Sequence, residues 1–313
     1  MLSKLAERLY WMARYIERVE NTARLVSVYD HLLFDLPQEV GISWYNLIIL
    51  NGAEPLFLDR YKNRDERNVV KFLLADDSNP SSLLSSIRAL RENVRTSRDL
   101  LPQETWEIVN ELYIFARDNI KQGINRSRRN QFLEQMVKRC QQINGLLNGT
   151  MSRDAASQFL SLGCNLERAD MLTRLLDAGA AALLGDLDTD LNIQEVVWGN
   201  VLRSSSAHMS YRRTVRSAVR DRDVVAFLLE DPHFPRSFQF CLNQVRDASG
   251  NLPNGGEVIR CIEKSLRAPY DLSKSDALGA KFREYLNQLQ LELNEVHTCL
   301  SESWFPSYER SVI

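Results

Sequence analysis

The chain has 313 residues, 44% of them hydrophobic and 26% charged, which is enough apolar material for one large globular domain or two of ordinary size. Lysine and arginine number 39 against 41 aspartate and glutamate, and this balance excludes a global positive field that would gather nucleic acid or an anionic membrane. The five cysteines are scattered and form no CxxC pair, which argues against a disulfide framework and a structural zinc site.

The N-terminus interleaves charged and apolar residues, so it lacks the apolar core of a signal peptide. No apolar run approaches the roughly 18 residues that a membrane span requires. These features, with the unpaired cysteine pattern, predict a soluble protein of the cytoplasm that binds no membrane.

A long amphipathic helix is predicted over residues 5–33. Apolar or small residues recur there at alternating three- and four-residue spacing, at Leu5, Leu9, Met12, Ile16, Val19, Ala23, Val26 and Leu33. The helix carries a charged flank formed by Glu17, Arg18, Glu20 and Arg24. At about 100° per residue, Glu20 and Arg24 lie beside the apolar stripe and Glu17 lies one step further round. The flank is therefore expected to face a neighbouring helix or a cleft.

Further helices are predicted along the rest of the chain. A short apolar segment at 42–50 precedes a helix at 65–74, and Asn79-Pro80-Ser81-Ser82 is typical of a helix start for residues 80–99. Another helix covers 102–119, and a basic loop around Arg126, Arg128 and Arg129 leads into a helix at 131–147. A second long helix begins near Ala155, and the last covers 281–300. No segment alternates with the period of a strand, so the fold class is all-α.

The second half of the chain repeats the first. The segment RLYWMARYIERVENTARLV from residue 8 aligns at an offset of 150 with QFLSLGCNLERADMLTRLL, which keeps the apolar stripe and the charges. The flank thereby recurs as Glu167, Arg168, Asp170 and Arg174. VVKFLLADDSNPSSL from residue 69 matches VVAFLLEDPHFPRSF from residue 224 at 8 of 15 positions.

This repetition predicts an internally duplicated helical bundle with two repeats of about six helices. The first repeat covers residues 1–150 and the second 151–313. The two are expected to pack about a pseudo-twofold axis as one compact unit, with the long helices near the centre and the two charged flanks converging on one site.

Several of these motifs resemble the bacterial alpha-E domain family over essentially the whole chain. The motifs are AERLYWMARYIERVENTARL, the Arg91-Glu92-Asn93 triplet followed by Arg95, FLSLGCNLERADMLTRLLD, and VLRSSSAHMSYRR followed by FPRS. The family has no established biochemical function. Its members are typically encoded beside circularly permuted ATP-grasp proteins and transglutaminase-like proteins, so the resemblance implies such a partner in a peptide-forming or peptide-modifying system. His208 stands where an aromatic residue is expected, and it is not taken as a general base.

The paired acids admit three interpretations. Glu17 with Glu20, and Glu167 with Asp170, have the i,i+3 spacing by which helical bundles present carboxylates to metal ions. No histidine completes such a site, so no metal or other cofactor is predicted, although Mg²⁺ or Mn²⁺ stays an alternative. A direct ligand contact is the second alternative. The favoured interpretation is a structural ion-pair network, since Glu20 with Arg24 and Asp170 with Arg174 are i,i+4 pairs.

Arginines form a second group of candidates. Arg203, Arg212, Arg213 and Arg216 crowd one segment with Tyr211, and Arg212, Arg216 and Arg220 are expected to share a helical face. Guanidinium groups bind phosphate or carboxylate in bidentate fashion, so this face is a candidate anion site; an ordinary solvated face is the favoured alternative. Arg91 and Arg95 have the same interpretation.

Recognisable catalytic motifs are missing from the sequence, which contains no GxGxxG, P-loop, HExxH or GxSxG. Two hypotheses follow. The first is a non-catalytic helical accessory protein that docks an ATP-grasp or transglutaminase-like protein. The second is an enzyme or ligand-binding protein whose central carboxylates and arginines hold an acidic peptide, a nucleotide or a divalent metal. Neither involves nucleic-acid binding.

Overall fold

The computed structural model describes residues 2–35, 42–182, 191–266, 270–273 and 278–305, and within these it is built of α-helices without a strand. In chain order the helices are α1 (Ser3–Asp35), α2 (Asn46–Leu50), α3 (Glu54–Arg60), α4 (Glu66–Ala75), α5 (Leu83–Arg95), α6 (Glu104–Ile124), α7 (Arg126–Thr150), α8 (Ala155–Ala182), α9 (Leu191–Ser204), α10 (His208–Thr214), α11 (Asp221–Glu230), α12 (Phe238–Gly250), α13 (Gly256–Ser265) and α14 (Ala280–Trp304). This confirms the all-α prediction. None of the described helices is both long and apolar enough to cross a bilayer.

The two longest helices, α1 and α8, lie against each other at the centre of the fold. Helix α1 also packs against α5 and α7, while α8 also packs against α12 and α14. The apolar stripe of α1 is buried in the common core from Leu9 to Val26, as are the residues predicted to match it in α8, such as Leu162 and Leu166. Burial of these stripes from water drives the association of the helices.

A glycine permits the close approach of α1 and α8. A Cβ atom added at Gly163 would overlap the carbonyl oxygen of Tyr10 and would lie 3.2 Å from the Cβ of Ala13. Only the absence of a side chain at this position lets the two backbones come so near. The crossing brings the charged flanks of both helices within reach of each other.

Serine residues cap two corresponding helices. Ser82 accepts a hydrogen bond from the backbone N–H of Ser85 at the start of α5, and Ser237 accepts one from that of Phe240 at the start of α12. Each serine satisfies a donor that the first helical turn leaves free. Helix α5 therefore begins at Leu83, within the predicted segment 80–99, and ends at Arg95.

The predicted basic loop around Arg126, Arg128 and Arg129 is wrong, because these residues form the first turn of α7. Asn125 caps this helix by accepting a hydrogen bond from the Ser127 N–H. Arg129 is only 1% exposed and forms ion pairs at 2.7 Å with Asp30 and Glu66. The arginine is thus a buried cross-link between α1, α4 and α7.

The predicted helical face shared by Arg212, Arg216 and Arg220 is also wrong. Helix α10 ends at Thr214, Arg216 adopts a left-handed φ of 56°, and Arg220 is the residue before α11. The chain turns here because the Tyr211 hydroxyl donates a hydrogen bond to the carbonyl oxygen of Ala218 across the turn.

One disulfide joins the last two helices, between Cys261 of α13 and Cys299 of α14. The spacing of the five cysteines in the sequence did not indicate this pair, because the two residues are 38 positions apart. Cys140, Cys164 and Cys241 are free thiols.

Candidate functional site

Four residues of the two charged flanks form reciprocal ion pairs, and we name them the Glu–Arg cross: Glu17 and Arg18 of α1 with Glu167 and Arg168 of α8. Arg168 donates from Nη2 to Glu17 Oε1 at 2.6 Å. Arg18 donates from Nε and Nη2 to the two oxygens of Glu167 at 2.7 and 3.1 Å. Each glutamate is therefore bonded to the arginine of the other helix.

Two further arginines complete the partners of these glutamates. Arg14 donates to Glu167 at 2.6 Å from the preceding turn of α1. Arg236, from the segment before α12, approaches Glu17 at 3.2 Å and donates to Glu20 at 3.0 Å. Neither residue was among the predicted site residues. Arg14 lies one turn before the Glu–Arg pair of α1, and Arg236 is the arginine of the FPRS motif. Spacing along one helix does not show which carboxylate either arginine contacts.

The outer part of each flank contains an ion pair within one helix turn. Arg24 donates to Glu20 at 2.8 and 2.9 Å, and Arg174 donates to Asp170 at 3.0 and 3.2 Å. Glu20 is only 1% exposed, whereas Asp170 and Arg174 are partly exposed. The structure therefore brings all eight predicted flank residues to one region around the crossing of α1 and α8.

The two central carboxylates are held in the ionised form. Burial by itself raises the pKa of Glu17, but the charges of Arg236 and Arg168 outweigh it and lower that pKa to about 2. Burial also raises the pKa of Glu167, and the charges of Arg14 and Arg18 outweigh this effect and lower that pKa to about 2. Neither group can take up a proton near neutral pH, so neither suits general acid or base catalysis.

Thiol chemistry is also disfavoured beside the cross. Cys164 donates its S–H to Glu17 at 3.4 Å, and burial raises the pKa of this thiol well above its usual range. Burial likewise raises the pKa of Cys241 to about 12. A nucleophilic cysteine requires a lowered pKa, so the raised pKa makes both thiols weak nucleophiles.

The charge balance of the region favours anions over cations. The carboxylates of Glu17, Glu20, Glu167 and Asp170 are outnumbered by the guanidinium groups of Arg14, Arg18, Arg24, Arg168, Arg174 and Arg236. A divalent metal would have to displace these guanidinium groups from the carboxylates. No cluster of three or more potential His, Cys, Asp or Glu ligands occurs in the described part of the chain.

The predicted anion candidates near α10 lie on a separate surface. Arg212, Arg213 and Arg216 line an open cavity of about 560 Å³ together with His233. Among the described residues, no acid lies within ion-pair distance of Arg212 or Arg213. Arg203 lies on α9, where it donates to Asn200 at 3.4 Å.

Tyr211 is not available at this surface as a hydrogen-bond donor to an anion. It is fully buried, and its hydroxyl is used by the Ala218 carbonyl.

The other two candidates, Arg91 and Arg95 of α5, have partners on α6 and on α5 itself. Arg91 donates to Asn110 at 2.8 Å and lies over the rings of Trp106 and Tyr113. Arg95 pairs with Glu92 at 2.7 Å on the exposed face. These contacts are typical of helix packing and a solvated ion pair.

A second cavity, of about 440 Å³, lies beside the Glu–Arg cross between α7, α8 and α12. Arg168 and Cys164 of the cross region form part of its wall. Its volume is within the range of about 300–1,000 Å³ that is common for small-molecule sites. The cross therefore borders a space that a ligand can enter.

Comparison with known proteins places these features in a wider group. A family model named Alpha-E, described as a predicted alpha-helical domain with a conserved ER motif, matches residues 1–305. Uncharacterised proteins of Mycobacterium bovis and of Mycobacterium tuberculosis strain CDC 1551 are each 23% identical to the chain over 325 aligned positions. These matches cover 94% of this chain but only 36% of each mycobacterial protein, so the chain spans about a third of their length. No solved structure matches the chain significantly.

Proposed function

The chain belongs to the Alpha-E family, and from that premise we propose that it is a non-catalytic helical accessory protein that docks an ATP-grasp or transglutaminase-like enzyme of a peptide-forming or peptide-modifying system. The choice of partner rests on the family resemblance. The non-catalytic role rests on one observation, which is that the buried carboxylates of the Glu–Arg cross are already bonded to arginines. Such groups hold two helices together and are not themselves free to act as an acid, base or nucleophile.

The length of the relatives supports a role beside other polypeptide segments. The matching region makes up 36% of the mycobacterial proteins, which therefore place a similar unit in one chain with much additional sequence. A unit that shares a chain with other segments in the relatives is suited to contacts with further polypeptide segments.

We propose the arginine surface of Arg212, Arg213 and Arg216 as the place of docking. These side chains are exposed and line one concave surface. Asp231 also lines this cavity, but its carboxylate accepts hydrogen bonds from the backbone N–H groups of His233 and Phe234. An acidic patch on the partner would supply carboxylates to the arginines, and the long-range attraction would speed the encounter of the two proteins.

The docking proposal is tested by purifying the protein together with the ATP-grasp and transglutaminase-like proteins of its own host. We expect a stoichiometric complex in size-exclusion chromatography with light scattering. Arg212→Glu combined with Arg213→Glu should weaken it at least about tenfold, as expected for desolvated charge pairs. The matched control is Arg88→Glu with Arg117→Glu, two exposed arginines elsewhere. Failure of both candidate partners to bind the wild-type protein would refute the proposal.

The internal duplication about a pseudo-twofold axis is part of the same proposal, with residues 1–150 and 151–313 as its repeats. Four observations support it: the sequence offset of 150, the reciprocal bonds of the Glu–Arg cross, the matching caps Ser82 and Ser237, and the facing positions Ala13 and Gly163. An experimental structure in which α1–α7 superposes on α8–α14 by a rotation near 180° would bear it out; a rotation far from this value would exclude it.

The alternative function, an enzyme or ligand-binding protein with a central site, is favoured by one observation, the excess of guanidinium groups around the cross. Of the ligands considered, this excess supports an acidic peptide or a nucleotide rather than a divalent metal. Arg24→Gln with Arg174→Gln separates the two functions, because it lowers the excess of guanidinium groups around the cross. If binding of such a ligand is lost while the unfolding midpoint is unchanged, the central site is functional; loss of stability alone supports the structural role.

A cytoplasmic location is likewise proposed, on the basis of the scattered free thiols. The Cys261–Cys299 disulfide argues in the other direction, because such bonds are rare in reducing compartments. Trapping of free thiols in intact host cells, followed by mass spectrometry of these two cysteines, decides between a reduced and an oxidised environment.

A further inference from the structure

The cavity beside the Glu–Arg cross is lined by polar side chains of only a few types and by no carboxylate. Its polar residues are side-chain amides, serines and two arginines: Asn144, Asn148, Gln158, Asn165, Gln244, Ser157, Ser161, Arg153 and Arg168. Apolar residues such as Ile16, Leu147 and Phe240 complete the wall, and no aspartate or glutamate is among the lining residues. The lining thus offers two guanidinium groups, of which Arg168 is paired with Glu17 and Arg153 has no carboxylate partner in the described structure, and many groups that both donate and accept hydrogen bonds.

Small side chains on α8 create this space. At the sequence offset of 150, Ser161, Cys164 and Asn165 correspond to Trp11, Arg14 and Tyr15 of α1. In α1 the rings of Trp11 and Tyr15 stack at 5.7 Å, and Trp11 also contacts His297 edge-on at 5.5 Å. The position beside Arg18 is therefore filled by bulky side chains, whereas the position beside Arg168 is open. The two halves of the chain therefore differ at the cavity.

The arginines set the charge of an acceptable ligand. Arg168 is fixed by its bond to Glu17 at 2.6 Å, and its Nη1 approaches the Pro235 carbonyl at 3.5 Å, so its guanidinium is held rigidly at the cavity wall. Arg153 is exposed and donates to the Asn148 carbonyl at 2.9 Å. Preorganised guanidinium groups without a lining acid are suited to a carboxylate.

The side-chain amides determine which chemical groups the remainder of the ligand should contain. Five side-chain amides from α7, α8 and α12 surround the same space. The nitrogens of Asn144 and Asn165 already donate to Glu17 and Ser161, while the amides of Asn148 and Gln244 can pair with a peptide group through both N–H and C=O. Asn165 is 6% exposed and its Oδ1 has no hydrogen-bond partner, although its Nδ2 donates to Ser161 at 2.9 Å. An unpaired buried oxygen of this kind is costly, and a modest shift of the side chain would offer it to a ligand N–H.

We propose that this cavity binds the carboxyl-terminal end of a peptide, with the terminal carboxylate between Arg153 and Arg168 and the preceding peptide groups on the amides. This site is distinct from the arginine surface near α10, and the proposal does not depend on the docking partner. A failed docking experiment would leave it intact, and the reverse also holds.

The test uses a mixture of tripeptides with free carboxyl ends and the same mixture with amidated ends. Each is incubated with the full-length protein, and the peptides that elute with the protein in rapid size-exclusion chromatography are measured by mass spectrometry. We expect retention of free-acid peptides and at least about tenfold less retention of the amides, because a charge-assisted hydrogen bond to a carboxylate is lost. No retention of either mixture, or equal retention of both, would overturn the proposal.

Two variants and one control locate the binding. Arg153→Gln should lower retention about tenfold without affecting folding, since Arg153 is exposed and forms no ion pair in the described structure. Ser161→Trp places in the cavity the residue found at the corresponding position of α1, and should abolish retention. Arg117→Gln, on the exposed face of α6, should retain peptides as the wild type does. Retention by both Arg153→Gln and Ser161→Trp at the wild-type level would place the peptides elsewhere and refute the assignment.

Discussion

At the scale of single residues, Glu17 illustrates how a charged group becomes part of a protein core. It is fully buried, yet Arg168 and Arg236 lie at 2.6 and 3.2 Å from its oxygens, so its charge is compensated. Burial of an ion pair is costly, but removing only one member costs more because the other is left buried without compensation.

Glu17→Gln should therefore lower the free energy of unfolding by about 3–5 kcal/mol, since it leaves two buried guanidinium groups without this carboxylate. Urea unfolding followed by circular dichroism measures the change. Glu92→Gln is the matched control, because Glu92 pairs with Arg95 on the exposed face, and it should leave the free energy of unfolding almost unchanged. Equal effects of the two substitutions would show that the buried cross has no special structural importance.

At the scale of elements, the contact between α1 and α8 depends on a single missing side chain. Gly163 lies so close to the Tyr10 carbonyl that the two helices would have to separate to admit a methyl group. Gly145, in the exposed part of α7, has no atom within 4 Å of the place where its Cβ would be. The same substitution at these two glycines thus has opposite expected effects.

Gly163→Ala should destabilise the fold by about 1–3 kcal/mol through overpacking. Gly145→Ala should stabilise it by about 0.5–1 kcal/mol through its better helix propensity and the lower entropy of the unfolded chain. Thermal unfolding of both variants provides the comparison. A neutral Gly163→Ala would mean that α1 and α8 do not approach as closely as described.

At the scale of the whole molecule, the ion pairs of the Glu–Arg cross connect the two halves of the chain. The carboxylate of Glu17 needs arginines from the second half, and that of Glu167 needs Arg14 and Arg18 from the first. We expect a single unfolding transition in calorimetry, with equal calorimetric and van't Hoff enthalpies. Two resolved transitions would instead assign independent stability to residues 1–150 and 151–313.

The stability of the molecule should also depend on acid pH in a defined window. The pKa values of Glu17 and Glu167 are about 2 in the folded protein, against the ordinary glutamate value of 4.5 that applies to the unfolded chain. The folded state therefore binds these protons less readily than the unfolded state does. The stabilisation is therefore complete above pH 4.5 and is lost as the pH falls from 4.5 toward 2, on the order of 3 kcal/mol for each glutamate. Urea midpoints measured across this range provide the test, and in Glu17→Gln the decline should be about half as large.

The sequence by itself determined the helical class, the position of the two long helices and the repetition of the charged flank, because these depend on periodicity within short segments. It also indicated the i,i+4 pairs Glu20 with Arg24 and Asp170 with Arg174, which are local in the chain. It failed at Arg129, which looked like part of a basic loop and is a buried cross-link, since the acids that it pairs with are distant in sequence.

Only the tertiary structure decided which arginine neutralises which glutamate. Glu17 bonds to Arg168 rather than to its neighbour Arg18, and the additional partner Arg236 is more than 200 residues away in the sequence that contains 313 residues. The open cavity beside Arg168 was equally hidden, because Ser161 and Asn165 mark a space only when the helices that surround them are in place. Contacts and cavities between helices depend on the crossing of α1 and α8, and no periodicity along one helix encodes that geometry.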